Sequence, residues 1–399
     1  MPARHIPLER RLRGTNVCVC VGPGGVGKTT VSAAIGLGLA ARGKKVVVVS
    51  IDPAKRLASA LGLDELPGEP HRIDLSALGG DERSLGRGTG AARGELWAMM
   101  LDSKGTFDGL VRTLAPDEDA RREVLSNRIY HELSSAVAGS QEFTAVAKLY
   151  ELHRSGDWDA IVLDTPPSRS ALDFLESPER LTRFLDGRAL KLLSAPGGLA
   201  RRGLARGGLA RGGLGPGGLA RGVLGRGAGV VFSLLSRLTG VDLIGELSGF
   251  FRSLSGLTDG FRDRARGVEL LLRDERTRFL IVTSPEPEPA REAAFLCEQL
   301  DRHRMRLGGV IVNLVHDIGL EGHSVEQVAA LLAPELGEAL AARVAANLGD
   351  FDLLARRDAD VVQTLSRELG DADPLLVRRL DGDPQDLAGI GLVAELLFR

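Results

Sequence analysis

The nine residues Gly22-Pro-Gly-Gly-Val-Gly-Lys-Thr-Thr30 concentrate more chemistry than any other stretch of this 399-residue chain. They fit the spacing G-x-x-x-x-G-K-[ST], in which glycines let backbone N–H groups turn inward on a polyphosphate. Gly22, Gly24, Gly25 and Gly27 supply that freedom around Val26. Lys28 is expected to reach β- and γ-phosphate oxygens and Thr29 to offer a hydroxyl to Mg²⁺, with Thr30 in the first turn of a helix whose dipole favours the anion. A plain glycine turn leaves the Lys-Thr pair unexplained.

Three more polar residues end apolar runs. Asp52 closes Lys45–Ile51, where a carboxylate faces a nucleotide crevice; before Pro53 it is equally good as a helix cap, and the two roles are compatible. Asp164 closes Ala160–Leu163 and reads as the acid that holds Mg²⁺ directly or through water. Asn313 ends a further run, where a turn-forming asparagine is one reading.

These residues need a scaffold that brings strand ends together. Asn16–Val21 and Lys45–Ile51 flank a helix-like stretch and form a βαβ unit. Further candidate strands are Glu95–Leu101, Ala160–Asp164, Phe279–Thr283, Val310–Leu314 and Leu375–Leu380, with a terminal helix over Leu387–Phe398. Runs apolar on both faces, separated by helical patterns, predict an α/β fold: a mostly parallel, doubly wound sheet of the P-loop NTPase kind, flanked by helices. The alternation stops between Asp164 and Phe279. This places a core at 1–170 and 276–399 and a helical insertion at 171–275.

Within the insertion, Pro196–Gly229 holds 14 glycines and six arginines in 34 residues without an acid. That composition offers no packed core and reads as a flexible, cationic loop. Leu243, Leu247, Phe250, Leu254 and Leu257 then recur at helical spacing. Such a stripe packs on neighbouring helices or receives a hydrophobic partner.

Composition excludes several classes. With 51 basic and 53 acidic residues the whole molecule is not an electrostatic nucleic-acid binder. Cys18, Cys20 and Cys297 have neither disulfide-framework nor zinc spacing, which fits a reducing cytoplasm. The first residues lack the apolar run of a secretory signal, and no stretch of about 18 apolar residues predicts a membrane span.

The loop, Ser50-Ile-Asp-Pro-Ala54, Ser140-Gln-Glu-Phe143, Leu163-Asp-Thr-Pro-Pro-Ser-Arg-Ser170 and Val312-Asn313 occur in one order along the chain. In this the sequence resembles the ArsA-type ATPases that drive arsenical pumps or target tail-anchored membrane proteins, especially their bacterial anion-transporting-ATPase-like branch. The resemblance implies an ATP- and Mg²⁺-dependent hydrolase acting as a homo- or hetero-dimer, with a hydrophobic client or membrane partner. It implies that Asp52 orients or deprotonates the attacking water, that Thr165–Ser170 is switch II, and that the Asn313 amide reads the adenine edge. Two departures stand out. Pro23 replaces the lysine that crosses the family's dimer to the other nucleotide, which leaves Arg169 or a partner's guanidinium to neutralise charge and points to slow turnover. The thiolates of the family's metalloid and zinc sites are also missing, which argues against an arsenite-activated subunit. Competing readings are a partition-type positioning ATPase, with the cationic loop on DNA or membrane, and a non-catalytic regulatory subunit of a paired complex.

Overall fold

A computed structural model describes residues 7–51, 56–78, 94–115, 117–127, 130, 141–166, 257–370, 373–382, 384 and 386–399. The cationic loop, the stripe up to Leu254, Asp52 and Arg169 lie outside these residues.

The strands are β1 (Val17–Val21), β2 (Lys45–Ser50), β3 (His71–Arg72), β4 (Glu95–Met100), β5 (Ala160–Asp164), β6 (Thr277–Thr283), β7 (Leu307–Val315) and β8 (Leu375–Arg378). They form one sheet in the order β3-β4-β2-β5-β1-β6-β7-β8. All neighbours are parallel except β3, which runs antiparallel to β4. The short exposed β3 has no apolar alternation, and the sequence reading passes over it. Every residue of β1 and β5 is buried, as strands covered on both faces must be. The fold is therefore the α/β, mostly parallel, helix-flanked sheet expected of a P-loop NTPase.

Helix Lys28–Ala40 is rich in alanine and glycine and buries 11 of its 13 residues between the sheet and helix Leu387–Phe398. The latter is capped by Asp386, which accepts from the Gly389 N–H at 2.8 Å. Small side chains allow this close layering. Cys18 and Cys20 lie in the same core as Val46, Val48 and Val162.

The two tryptophans, Trp97 and Trp158, stand edge to face with centroids 5.6 Å apart at the amino end of the strands. The Lys45 ammonium sits 5.7 Å and 5.0 Å from their rings. Such cation–π contacts contribute about 0.5–2 kcal/mol, more as water is excluded.

By its contacts the chain divides into two compact units, Met1–Met100 with Leu152–Leu172 and Leu272–Arg399, and Leu101–Glu151 with Asp173–Leu271. The first carries the whole sheet. The second takes in 101–151, a stretch that the sequence reading places in the core, so the chain leaves the sheet-bearing unit twice. In the second unit Asp102 and Asp117 cap helices Ser103–Leu114 and Glu118–Ser126. Phe107 stacks on both Tyr130 and Phe261. Among the described residues no helix is long and apolar enough to cross a membrane.

Candidate nucleotide site at the carboxyl end of the sheet

Successive strands are laid down on one side of β1 and then, from β6 onward, on the other. Such a switch point opens a crevice at the carboxyl ends of the strands, where open α/β sheets bind their ligands. Gly22–Gly27 fills that position, between the end of β1 and helix Lys28–Ala40.

The loop is tight. A Cβ on Gly22 would stand 2.0 Å from the Val282 carbonyl oxygen on β6, so the backbones touch there. Gly27, at φ +82°, forms the left-handed entry to the helix, and a Cβ would meet Asn313 Nδ2 at 2.4 Å. Gly24 and Gly25 are exposed, while Val26 is buried and Thr30 half-buried. Lys28 is 7% exposed, and its ammonium donates to the Pro23 carbonyl at 2.6 Å. The lysine is thus folded back over the loop, with its charge where an anion would enter.

Asp164 terminates β5 at 1% exposure and gathers three hydroxyls, two from helix Lys28–Ala40 and one from the end of β2. Thr29 Oγ1 donates to Oδ2 at 2.8 Å, Ser50 Oγ to the same oxygen at 3.0 Å, and Ser32 Oγ to Oδ1 at 3.5 Å. Thr29 and Asp164, paired from sequence as magnesium ligands, do come together. Ser32 and Ser50 are missed by sequence reasoning. Ser32 lies inside a run of small helical residues, and Ser50 ends a valine-rich strand, so only the helix–strand packing reveals their convergence. Below Asp164, Thr165 Oγ1 donates to the Cys20 carbonyl at 2.7 Å and ties the ends of β5 and β1 together.

Asn313, 5% exposed near the end of β7, donates through Nδ2 to the Val26 carbonyl at 2.9 Å. The amide assigned by resemblance to a base edge therefore also touches the phosphate loop. Three residues on, His316 meets the fully buried Asp358 of helix Glu338–Glu368, its Nδ1 2.7 Å from Oδ2. Burial pushes the Asp358 carboxyl up. Hydrogen bonds from the His316 backbone and ring, then Arg357, outweigh burial and hold it below its ordinary value.

The thiols are chemically quiet. Burial pushes Cys18 up to about 12 and Cys297 up to about 11, and it raises Cys20 as well.

Residues 15–202 match the family model described as anion-transporting ATPase. A protein described as an arsenical pump-driving ATPase from Aquifex aeolicus is 26% identical over 302 residues, covering 74% of this chain and 62% of that one. ATPase get3 of Aspergillus terreus is 30% identical over 165 residues, 41% of this chain and 43% of its own. ATPase GET3A of Arabidopsis thaliana is 25% identical over 296 residues, 74% of this chain and 65% of its own. The chain thus spans less than two thirds of the length of these relatives. With the parallel sheet and the loop at its carboxyl end, these matches show that the chain is similar to anion-transporting ATPases of the ArsA type, the family model matching residues 15–202.

Proposed function

We propose that this protein binds ATP with Mg²⁺ on Gly22–Thr30 and hydrolyses the β–γ bond, and that nucleotide state governs a helical segment receptive to a hydrophobic protein or membrane partner. The observation that carries the reading is the convergence of Thr29 and Ser50 on Asp164 beside the buried Lys28. A carboxylate and hydroxyls are the hard oxygen donors that Mg²⁺ takes. Among the described residues no group of three or more His, Cys, Asp or Glu forms an all-protein metal cage, and a magnesium ion shared with phosphates needs none. When bound, Mg²⁺ would neutralise charge developing on the phosphate oxygens.

In this reading Lys28 exchanges the Pro23 carbonyl for phosphate oxygens. Asp164 holds the Thr29 hydroxyl in place, and inward-turned N–H groups of the loop bind the anion. Asp52, outside the described residues, orients or deprotonates the water. Pro23 has no charge to lend a second nucleotide, so turnover is slow, with Arg169 or a partner's guanidinium as the remaining cation. A homo- or hetero-dimer and the stripe ending at Leu257 complete the proposal, by analogy with relatives named as pump-driving and GET3 ATPases.

The test is phosphate release measured beside light scattering, with and without Mg²⁺. Loss of one preorganised charge-stabilising group costs on the order of 10²–10³ in rate, so Lys28→Ala should fall by that factor. Equal rates for parent and variant would overturn the assignment. Coupling fails if a hydrophobic helical peptide binds the ADP and ATP states equally well.

A further inference from the structure

We infer that Asn313 is a positioning residue for the phosphate loop: it holds the Val26–Gly27 peptide in place from β7, and a strained bulge pinned by Asp358 holds Asn313. The inference rests on reading Gly22–Thr30 as a polyphosphate site.

Four observations converge. First, Asn313 Nδ2 donates to the Val26 carbonyl at 2.9 Å with the side chain 5% exposed. A hydrogen bond this well shielded from water fixes both partners. Second, the amide lies so close to Gly27 that a Cβ there would stand 2.4 Å from it. Loop and amide are fitted to each other.

Third, the β7–β8 ladder breaks at this point. Val312 pairs with Leu376 and Val315 with Arg378, so β7 carries one residue more than β8 over the interval. Leu314 takes up the extra residue at φ +64°, a conformation uncommon for a side chain of its kind. Bulges beside functional sites re-aim side chains, and such strain persists only where its surroundings over-determine it.

Fourth, the over-determining contact is present. Directly beyond the bulge, the His316 N–H donates to Asp358 Oδ2 at 3.0 Å and the ring Nδ1 approaches the same oxygen at 2.7 Å. Arg357 holds the other oxygen through Nε at 3.2 Å and Nη2 at 2.9 Å. Asp358 is completely buried, so the carboxylate at the centre of this latch is shielded from water.

A base-reading role and a loop-holding role predict different losses. Inorganic tripolyphosphate with Mg²⁺ has phosphates but no base. Its affinity and that of ATP would be measured by calorimetry for the parent, Asn313→Asp, Asn313→Ala, Asp358→Asn and Asn313→Ala/Asp358→Asn, with ligand-free melting as a control on folding. Asn313→Asp keeps the shape and loses the donor. Both Asn313 variants should bind tripolyphosphate and ATP more weakly by a similar factor, roughly tenfold, the equivalent of one net hydrogen bond. Asp358→Asn should weaken tripolyphosphate in the same direction, and the double variant should be no worse than Asn313→Ala, because both changes act on one contact.

Parent-like tripolyphosphate binding by both Asn313 variants, with only ATP weakened, would overturn the inference in favour of base reading alone. Additive losses in the double variant would refute the Asp358 latch. A parent that binds neither ligand would instead bring down the nucleotide reading, and this inference with it.

Discussion

Thr29 Oγ1 lies 2.8 Å from Asp164 Oδ2, so the first turn of the loop's helix and the end of β5 are joined through the two side chains that would flank one magnesium ion. Ser50 Oγ, 3.0 Å from the same oxygen, brings in the end of β2. Thr29→Ser keeps the hydroxyl and should retain most phosphate release. Thr29→Ala and Asp164→Asn should each lose on the order of 10²-fold, the scale for removing one preorganised electrostatic group. Rates measured across a Mg²⁺ titration test this, since both losses should appear as weaker magnesium dependence. Ser50→Ala should fall between the parent and Thr29→Ala.

Gly27→Ala meets two obstacles, a left-handed φ of +82° and Asn313 Nδ2 at 2.4 Å. The backbone strain alone costs about 1–3 kcal/mol. The variant should unfold at lower urea concentration with an unchanged slope, and it should bind ATP more weakly. Adding Asn313→Ala would relieve the collision but not the backbone, so stability should recover only in part.

The Asp358 latch makes a prediction about acid. A carboxyl held below its ordinary value in the folded state stabilises the fold fully above the unfolded value, about 3.9, and the contribution drains away as pH falls through the folded value. Urea midpoints of the parent should therefore drop more steeply below about pH 4 than those of Asp358→Asn, and the two curves should run closer together at the acid end. Parallel curves would show that the latch adds nothing.

Thiol chemistry offers an independent check on burial. With Cys18 pushed up to about 12 and Cys297 to about 11, almost no thiolate exists at neutral pH. A disulfide reagent at pH 7.5 should react slowly with the native protein and promptly with all three cysteines in denaturant. One thiol reacting at the rate of free cysteine would contradict the packing around it.

How legible the fold is from sequence depends on how local the determining forces are. The loop glycines, Lys28 and Thr29 carry their chemistry in adjacent positions, and β5 and helix Leu387–Phe398 begin and end where apolar runs begin and end. β7 is longer than its apolar run because Leu307–Gly309 is recruited by pairing to β6, a neighbour distant in sequence. Asn313 is visible as a strand-end residue, but its contact with Val26 spans 287 positions and depends on the bulge at Leu314. Asp358 is less legible still. An aspartate amid the charges of a 31-residue helix reads as solvated surface, and only its encounter with His316 reveals a buried carboxylate.

Trp97 and Trp158 give the protein an optical property of its own. Trp97 lies three residues into β4 and Trp158 just before β5, toward the amino ends of the strands, whereas the loop leaves the carboxyl end of β1. Their emission is thus a gauge of whether the sheet is intact, and it is nearly blind to the occupant of the crevice. Denaturation can be followed without a label, whereas a nucleotide titration calls for a fluorophore on the ligand.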